Sequence, residues 1–381
     1  MRDTSIEGNM KILLTTGIFF PDVGGPATHV QKIAEHFHSL GWQVSVVAFG
    51  DHTGDEKYRV LRASRKYGKL VSWALYALAI ARESLRHDVI YAFDLTTAGV
   101  PSAFFARLLR KRFLLRIGGD PIWERVVEHG ERFVPMRAYY EQGLFKVDRP
   151  RLFRTIRRVV QSAETIVTYN EFLKEIYVTH YGVPADRVRI IRNPFPTRTV
   201  FSRESGTFTF LFAGRFVSYK NLPVVLQAFT KVSGKHPEAR LVLIGDGPDR
   251  ELIAKEAASL GERIEILPKM DQQSLFARID ASSVALAPAL SEFNPNFILE
   301  SLAHGKPAII SRDNGLSVQL PGYLQFDPLN ADSMQAVMES LFDTETYEKA
   351  LRDVAALPTD QTWEKVAEEH AHIAQGGGNV V

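Results

Sequence analysis

The sequence predicts an α/β protein of two domains, each built on a sheet of parallel strands. The chain has 381 residues, about twice the size of an ordinary domain. Short apolar runs rich in β-formers alternate with helical patterns along its whole length. These runs lack strict polar alternation, as expected for strands that are buried on both faces of a sheet. Residues 193–206 are rich in turn-forming residues, so we predict a linker there and domains at 10–198 and 199–360.

The strand predictions fall into a first and a second group, one for each domain. The first group is 11–16, 43–49, 89–93, 112–117, 165–169 and 188–193, and the second is 208–214, 240–245, 263–267, 284–288 and 307–311. Helical patterns separate the strands at 28–40, 71–87, 151–163, 221–233, 249–260 and 271–279, with a last one at 362–375.

Composition excludes several classes of site. The sequence contains no cysteine, which excludes disulfides, thiolate-bound zinc, iron–sulfur clusters and thiol catalysis. The first ten residues have no apolar signal region, and the longest apolar stretch, 70–81, is shorter than the ~20 residues of a spanning helix. We therefore expect a cytoplasmic protein.

Charge is distributed unevenly between the two halves. Residues 1–200 hold 30 lysines and arginines against 20 acidic residues, whereas residues 201–381 hold 16 against 24. This asymmetry favours different partners for the two halves, or mutual attraction between the domains. Two basic groups, within 57–69 and 149–158, predict contact with anionic membrane at its inner face. A solvated or nucleic-acid-type charge run is the alternative, although we predict no nucleic-acid partner.

A first glycine turn follows the first predicted strand. Gly24 and Gly25 stand between that strand and a helical pattern, where glycines let a ligand approach backbone N–H groups. The helix N-terminus also favours an anion. A purely structural turn is the alternative, because no phosphate-binding fingerprint accompanies the glycines.

A pair of cations follows the first strand of the second domain. Gly214 and Arg215 lie just past the strand end, where α/β folds bind ligands, and Lys220 follows five residues later. An arginine fork with a lysine point charge can neutralise a diphosphate without a metal ion. Two solvated surface charges are the alternative. Further on, Gly245 and Gly247 suit either a tight turn or close backbone approach to a ligand.

Two carboxylates lie eight residues apart near the last predicted strand. Glu292 is placed in a loop and Glu300 on a helix, with the start of that helix between them. Carboxylates bind vicinal hydroxyls, and free amides at a helix start can hold phosphate or sugar oxygens. The pattern therefore favours polyol binding over the alternative, a hydrolase acid/base pair.

Four segments together resemble the retaining, nucleotide-sugar-dependent glycosyltransferases of family 4. They occur in the family's order and cover residues 11 to 375: FFPDVGGPATH, FAGRFVSYKN, LVLIGDGPDRELI and SEFNPNFILESLAHGKPAII. The resemblance implies two facing Rossmann-like domains (the GT-B fold), with residues 361–375 returning to the first domain. It further implies an acceptor-binding first domain and a donor-binding second domain.

The resemblance also implies roles for individual residues. Arg215 and Lys220 would hold the donor diphosphate, Glu300 the ribose, and Glu292 the donor sugar. Backbone groups around Asn296, Phe297 and Ile298 would touch sugar and phosphate, while Gly24 and Gly25 close the cleft. The donor is then a nucleoside diphosphate sugar, and the acceptor a glycan or a lipid-linked hydroxyl. No metal ion and no other cofactor is expected.

The sequence departs from the family in the loop after the fourth strand of the first domain. Gly118 stands where family members carry a histidine. We predict that Asp120 carries a polar catalytic contact there; the alternative is a cap on a helix that starts at Pro121. An epimerase or other enzyme of the same fold, and a catalytically decayed sugar-nucleotide binding protein, remain alternative functions. A nicotinamide dehydrogenase is disfavoured because the dinucleotide fingerprint is missing.

Overall fold

The computed structural model describes residues 10–22, 25–52, 54–198 and 207–377. By packing, the chain divides into two compact units. The first unit comprises residues 1–122, 145–194 and 361–381, and the second comprises 123–144 and 195–360. Residues 123–144 precede the predicted linker, yet they pack within the second unit.

The first unit contains a seven-stranded sheet in which every neighbouring pair is parallel. Its strand order is β3-β2-β1-β4-β5-β6-β7. The strands are β1 Lys11–Thr15, β2 Gln43–Phe49, β3 Arg59–Ala63, β4 Val89–Ala92, β5 Arg112–Arg116, β6 Thr165–Thr168 and β7 Val188–Ile190.

The second unit contains a six-stranded sheet, also parallel throughout, in the order β10-β9-β8-β11-β12-β13. The strands are β8 Phe208–Ala213, β9 Ala239–Ile244, β10 Ile264–Leu267, β11 Val284–Ala287, β12 Ala308–Ser311 and β13 Gln325–Phe326.

Helices connect the strands in both units. They are α1 Gly25–Ser39, α2 Lys69–Ser84, α3 Gly99–Leu108, α4 Pro121–Glu128, α5 Met136–Glu141, α6 Phe145–Asp148, α7 Pro150–Ser162, α8 Glu171–Tyr181, α9 Leu222–Lys235, α10 Arg250–Ala257, α11 Gln272–Ala281, α12 Asn296–Ala303, α13 Ala331–Ser340, α14 Thr344–Ala355 and α15 Trp363–Ala374. Short 3₁₀ turns lie at Ala185–Arg187, Ser218–Lys220, Ala258–Arg263 and Gly322–Leu324.

The central strands are buried on both faces, which explains their continuous apolar character. In β4 and β11 all four residues are buried, and β2 is buried from Val44 to Ala48. Separate apolar clusters cover the two faces of the second sheet. The predicted α/β architecture with two Rossmann-like units is therefore confirmed, and each predicted strand overlaps an observed one.

Strand β3 was not predicted, because its sequence RVLRA lies inside the basic stretch 57–69. In the structure three arginines of this stretch bind carboxylates of the same unit. Nη2 of Arg59 lies 3.3 Å from Oε1 of the buried Glu83. Nη2 of Arg65 lies 3.1 Å from Oδ2 of Asp22. Arg62 forms an ion pair with Glu56. These charges are therefore partly neutralised within the fold, and the stretch is not a simple solvated charge run.

The C-terminal helix α15 packs against α1 of the first unit, as predicted. Nε2 of His29, a residue of the FFPDVGGPATH segment, lies 3.2 Å from Nε2 of His370 on α15. The hydroxyl of Tyr91 on β4 lies 2.6 Å from Nδ1 of the same His370. Burial, aided by the nearby charge of Arg116, holds the pKa of both histidines well below the usual value, so both rings are neutral. This buried chain joins α15 to the core of the first unit.

Candidate functional site

The second sheet has a topological switch point between β8 and β11. The chain leaves these adjacent strands toward opposite edges of the sheet, which opens a crevice at their carboxyl ends. Ligands of open α/β sheets bind in such crevices. Arg215 and Lys220 follow β8, and Glu292 follows β11, so the switch point brings three predicted site residues to one edge of the sheet.

Lys220 and Glu292 form a buried ion pair at this switch point. Nζ of Lys220 lies 2.7 Å from Oε1 of Glu292, and both side chains are largely withdrawn from solvent. Burial is the largest single effect and lowers the pKa of Lys220, but the charge and hydrogen bond of Glu292, with Tyr219 and Glu124 nearby, together outweigh it. The net shift is therefore upward and the ammonium form is retained. Lys220 is the last residue of the 3₁₀ turn Ser218–Lys220. The next residue, Asn221, holds the end of this turn in place because its Nδ2 donates to the carbonyl of Pro328 at 2.7 Å.

The loop that carries Glu292 is fixed by residues 313–315. The amide of Glu292 donates to the carbonyl of Asp313 at 3.0 Å, and its carbonyl accepts from the amide of Gly315 at 2.7 Å. The carboxylate of Asp313 also accepts from the hydroxyl of Ser291, and burial raises the pKa of Asp313. Sequence reasoning missed Ser291 and Asp313, because they lie 22 residues apart and match no short motif.

Residues 123–144 also contribute to this edge of the second unit. The amide of Met136 donates to Oγ of Ser291 at 2.7 Å, and the hydroxyl of Ser218 donates to the carbonyl of Val127 at 2.8 Å. The indole of Trp123 packs edge-on against Phe293, at 5.9 Å between ring centroids. The segment therefore braces both the loop after β8 and the loop after β11.

Arg215 is more exposed than Lys220 and has a different partner. Its Nη1 lies 3.3 Å from Oε1 of Glu128 on α4. An exposed ion pair of this kind contributes about 0–1 kcal/mol, so an anionic ligand can replace Glu128 at little cost. The two predicted cations thus lie on the same loop, each with its own carboxylate partner.

The glycines after β8 and β9 pack these two loops together. Gly245 and Gly247 have φ values of 152° and 157°, a region that only glycine adopts easily. A Cβ at Gly245 would lie 1.9 Å from the carbonyl oxygen of Gly214, and one at Gly247 would lie 2.2 Å from that of Phe216. The backbone that approaches Gly245 and Gly247 is therefore that of the loop after β8, in the same unit. This packing corresponds to the structural alternative for these two glycines.

Helix α12 follows the Glu292 loop and carries Glu300. Phe297 and Ile298 near its start are buried in an apolar cluster. The amide of Ile298 donates to the carbonyl of Pro295 at 3.1 Å, so it already has a partner within the turn. Glu300 is partly buried, accepts from Nε2 of Gln272 at 3.2 Å, and has a pKa raised by burial. Asn296 is the first residue of the helix.

The first sheet has its own switch point, between β1 and β4. Oδ2 of Asp94, just after β4, accepts from the amide of Gly17, just after β1, at 3.1 Å. Its Oδ1 accepts from the amides of Thr96 and Ala98 before α3. Asp94 therefore ties together the two loops at this edge. Gly25 is the first residue of α1, and Gly24 lies outside the described residues.

Two tyrosine hydroxyls fix the loop after β5. That of Tyr169 donates to the carbonyl of Gly118 at 2.9 Å, and that of Tyr177 donates to the carbonyl of Gly119 at 3.2 Å. Buried Asp120 accepts from the amide of Ile122 at 3.0 Å, as the capping alternative requires; its catalytic role stays a prediction. Nη1 of buried Arg116 lies 3.5 Å from where a Cβ of residue 118 would stand. A guanidinium therefore occupies the space beside Gly118.

No cluster of three or more His, Cys, Asp or Glu side chains in the described ranges is placed to hold a metal ion. Among the helices of those same ranges, none is both long enough and apolar enough to cross a membrane.

Comparison with known proteins agrees with this architecture. Residues 23–199 match the family model described as Glycosyltransferase Family 4, and residues 197–355 match that of Glycosyl transferases group 1. An uncharacterised glycosyltransferase of Methanocaldococcus jannaschii is 23% identical over 338 residues, which is 81% of this chain and 82% of the relative. The alpha-monoglucosyldiacylglycerol synthase of Streptococcus pneumoniae is 22% identical over 376 residues, covering 88% of this chain and 79% of the relative.

A solved structure shares the fold at low sequence identity. Anabaena HepE, in complex with UDP and glucose, superposes with a TM-score of 0.73 at 14% identity, over 96% of this chain and 99% of that one. Its similarity supports the GT-B assignment made from the two parallel sheets. The two family models together span nearly the whole described chain. The chain therefore belongs to the group 1 and family 4 glycosyltransferases of GT-B fold, enzymes that transfer sugars.

Proposed function

We propose that this glycosyltransferase moves a sugar from a nucleoside diphosphate sugar to an acceptor hydroxyl, with retention of anomeric configuration and without a metal ion. The donor binds the second unit. The observation that carries the proposal is the buried pair of Lys220 and Glu292 at the switch point of the second sheet. It presents one fixed cation and one fixed carboxylate at the edge where α/β sheets bind ligands.

The cations of this edge suit a diphosphate. Lys220 keeps its positive charge despite burial, and Arg215 can exchange its exposed contact with Glu128 for a phosphate oxygen. When the bond between the sugar and the diphosphate breaks, negative charge accumulates on the leaving phosphate. Fixed positive charge in a water-poor site stabilises such a transition state. Lys220 and Arg215 thereby take the part that a divalent cation plays in other transferases.

The carboxylates suit the hydroxyls of the donor. Glu292 lies beside Lys220, where the sugar attached to the diphosphate would be held, and accepts hydrogen bonds from sugar hydroxyls. Glu300 is held by Gln272 and binds the ribose hydroxyls. The acceptor hydroxyl attacks on the face from which the diphosphate leaves, and the leaving phosphate oxygen takes its proton. No nucleophile from the enzyme is required.

The acceptor binds the first unit and is a glycan or a lipid-linked hydroxyl. The Streptococcus pneumoniae relative is named for a glucosylated diacylglycerol, which supports a lipid acceptor. The HepE structure was obtained with UDP and glucose, which supports a nucleotide-sugar donor.

The proposal is tested in two stages. Thermal unfolding is first measured with UDP-, GDP- and ADP-sugars, since a ligand at about 100 times its Kd stabilises by about 2.7 kcal/mol. The donor that stabilises is then incubated with candidate acceptors, and free nucleoside diphosphate is measured with and without EDTA. We expect release that requires the acceptor and persists in EDTA, with the α or β configuration of the donor retained in the product by NMR.

Three outcomes contradict parts of this proposal. Conversion of the donor to an epimer without acceptor favours an epimerase. Binding without turnover on any acceptor favours a decayed binding protein. Strict dependence on added Mg²⁺ or Mn²⁺ contradicts the metal-independent mechanism.

A further inference from the structure

Helix α2 of the first unit has an apolar face that the described residues leave exposed. Its inner face is formed by Ser72, Tyr76 and Ile80, which are buried at a spacing of four residues. On the outer side, Leu70 is 87% exposed and Leu78 is 64% exposed. A surface helix normally carries polar residues on its outer face. Further large apolar side chains exposed on and just after this helix are Val71, Trp73, Leu75 and Leu85.

Helix α3 lies in contact with α2 and extends the apolar surface. Phe104 and Leu108, one helical turn apart, are 62% and 63% exposed. Contiguous exposed apolar patches of this kind mark sites of interaction. The exposed apolar side chains of α2 and α3 therefore lie on neighbouring helices.

Helices α2, α3 and α7 carry exposed cations, and the carboxylate on these helices, Glu83, is buried. Helix α7 contacts α3 and exposes its arginines to solvent. There is no Asp or Glu within residues 57–82, 95–119 or 149–163. These ranges include nearly all of α2 and the whole of α3 and α7. In the part of the chain that the structure describes, six exposed arginines of α3, its following turn and α7 form no ion pair: Arg107, Arg110, Arg151, Arg154, Arg157 and Arg158.

We propose that this α2–α3–α7 surface binds an anionic lipid bilayer. The exposed apolar side chains of α2 and α3 would enter the boundary between headgroups and acyl chains, with the helices parallel to the membrane plane. The arginines would contact lipid phosphates. A second copy of the chain fits less well, because it would bring the same acid-free surface against these arginines.

This surface differs from the one indicated by the basic stretch 57–69. Arg59, Arg62 and Arg65 have carboxylate partners inside the first unit, whereas the arginines of α7 have none among the residues that the structure describes. The strongest candidates for lipid contact are therefore on α7 and on the outer face of α2. The inference does not depend on the proposed donor or acceptor, since binding is expected without either.

The test uses the full chain and two kinds of sucrose-loaded vesicle. One kind is phosphatidylcholine alone, and the other is phosphatidylcholine mixed with phosphatidylglycerol, whose anionic headgroups attract basic residues near the surface. We expect sedimentation with the anionic vesicles only, weakened by added salt. Replacing Arg154 and Arg158 with Gln should weaken binding about fivefold per arginine. Leu78→Glu and Phe104→Ser should also weaken it. Matched controls in the second unit are Leu252→Glu, at a similarly exposed leucine of α10, and Lys255→Gln with Lys269→Gln.

Tryptophan fluorescence gives a second readout. Trp73 lies on α2, so its emission should shift to the blue on anionic vesicles, and Trp73→Phe should abolish that shift while binding persists. Circular dichroism and thermal unfolding identify any variant that does not fold. If Leu78→Glu does not fold, Leu70→Ser is used in its place, since Leu70 is the more exposed of the two leucines.

Several results would overturn the inference. Equal binding to neutral and anionic vesicles removes the role of the arginines. Unchanged binding of all folded surface variants places the contact elsewhere. The surface is assigned to a second copy of the chain if two results occur together. The wild type does not bind vesicles, and it forms a concentration-dependent dimer that Leu78→Glu abolishes.

Discussion

Nζ of Lys220 lies 2.7 Å from Oε1 of Glu292, although the two residues are 72 positions apart in the sequence. The pair joins the loop after β8 to the loop after β11 at the switch point of the second sheet. A diphosphate that binds Lys220 must therefore compete with, or share, the contact made by Glu292. Under the proposed function, donor binding and the position of the Glu292 carboxylate are thus coupled.

This coupling predicts opposite effects of Glu292→Gln on binding and on turnover. Removing the carboxylate frees Lys220, so free nucleoside diphosphate should bind several-fold more tightly by calorimetry. Turnover should fall by about 10²–10³, the typical loss for one group that stabilises the transition state. Glu128→Gln is the matched control, because it frees the exposed Arg215 and should change affinity only slightly. Weaker nucleotide binding by a folded Glu292→Gln variant would refute the competition.

Glu300 should discriminate ribose from deoxyribose. A hydrogen bond to a charged group contributes about 1.5–3 kcal/mol, so the wild type should bind a ribonucleoside diphosphate at least about tenfold better than its 2′-deoxy analogue. Glu300→Gln should lose most of that preference, whereas Glu265→Gln, at an exposed carboxylate of β10, should keep it. Titration calorimetry measures both affinities. An unaltered preference in the Glu300 variant would show that another residue contacts the ribose.

The glycines of the Gly245–Gly247 turn should be required for folding of the second unit. Gly247→Ala places a Cβ 2.2 Å from the carbonyl oxygen of Phe216 and forces an unfavourable φ. We expect a loss of stability on the order of 1–3 kcal/mol in denaturant unfolding. Gly234→Ala in α9 is the control, because a Cβ there meets nothing within 4 Å and a helix gains up to about 1 kcal/mol from the exchange. Normal stability with weakened nucleotide binding would instead indicate direct ligand contact.

The first unit should lose stability in mild acid. The pKa values of His29 and His370 are lowered in the folded protein. When pH falls below about 6.5, these imidazoles therefore bind protons in the unfolded chain but stay neutral in the folded protein. The free energy of unfolding should therefore decrease by about 1.4 kcal/mol per pH unit for each imidazole below that value, and be unaffected above it. Denaturant unfolding between pH 7.5 and 5.5 measures the slope. His370→Gln should reduce it, and His129→Gln, at an exposed site, should not; equal slopes in all three proteins would contradict the assignment.

The sequence was informative where the signal was local. Strands such as β4 and β11 are continuous apolar runs because both of their faces are buried, and the prediction located them to within one residue. The sequence likewise placed Lys220 and Glu292 in loops that follow strands, and the structure pairs them there; their roles toward a donor stay predictions. Strand β3 was missed, because the arginines of RVLRA look solvated until their distant carboxylate partners are known.

Other features depend on contacts that spacing does not reveal. The support of the Glu292 loop by Asp313, and the packing of 123–144 within the second unit, arise only in the folded chain. The role of His29 could not be predicted either, because its partner His370 is 341 positions away. Gly245 and Gly247 were predicted to suit a tight turn or close backbone approach to a ligand. The backbone beside them is that of the adjacent loop, and contact with a ligand stays a prediction.

Under the proposed mechanism, Lys220 and Arg215 stabilise the departing diphosphate. Acceptor-dependent release of nucleoside diphosphate, measured in EDTA for the wild type, Lys220→Ala and Arg215→Ala, tests it most directly. We expect kcat to fall by about 10²–10³ in each variant while circular dichroism still reports a folded protein. Near wild-type kcat in both folded variants would contradict it.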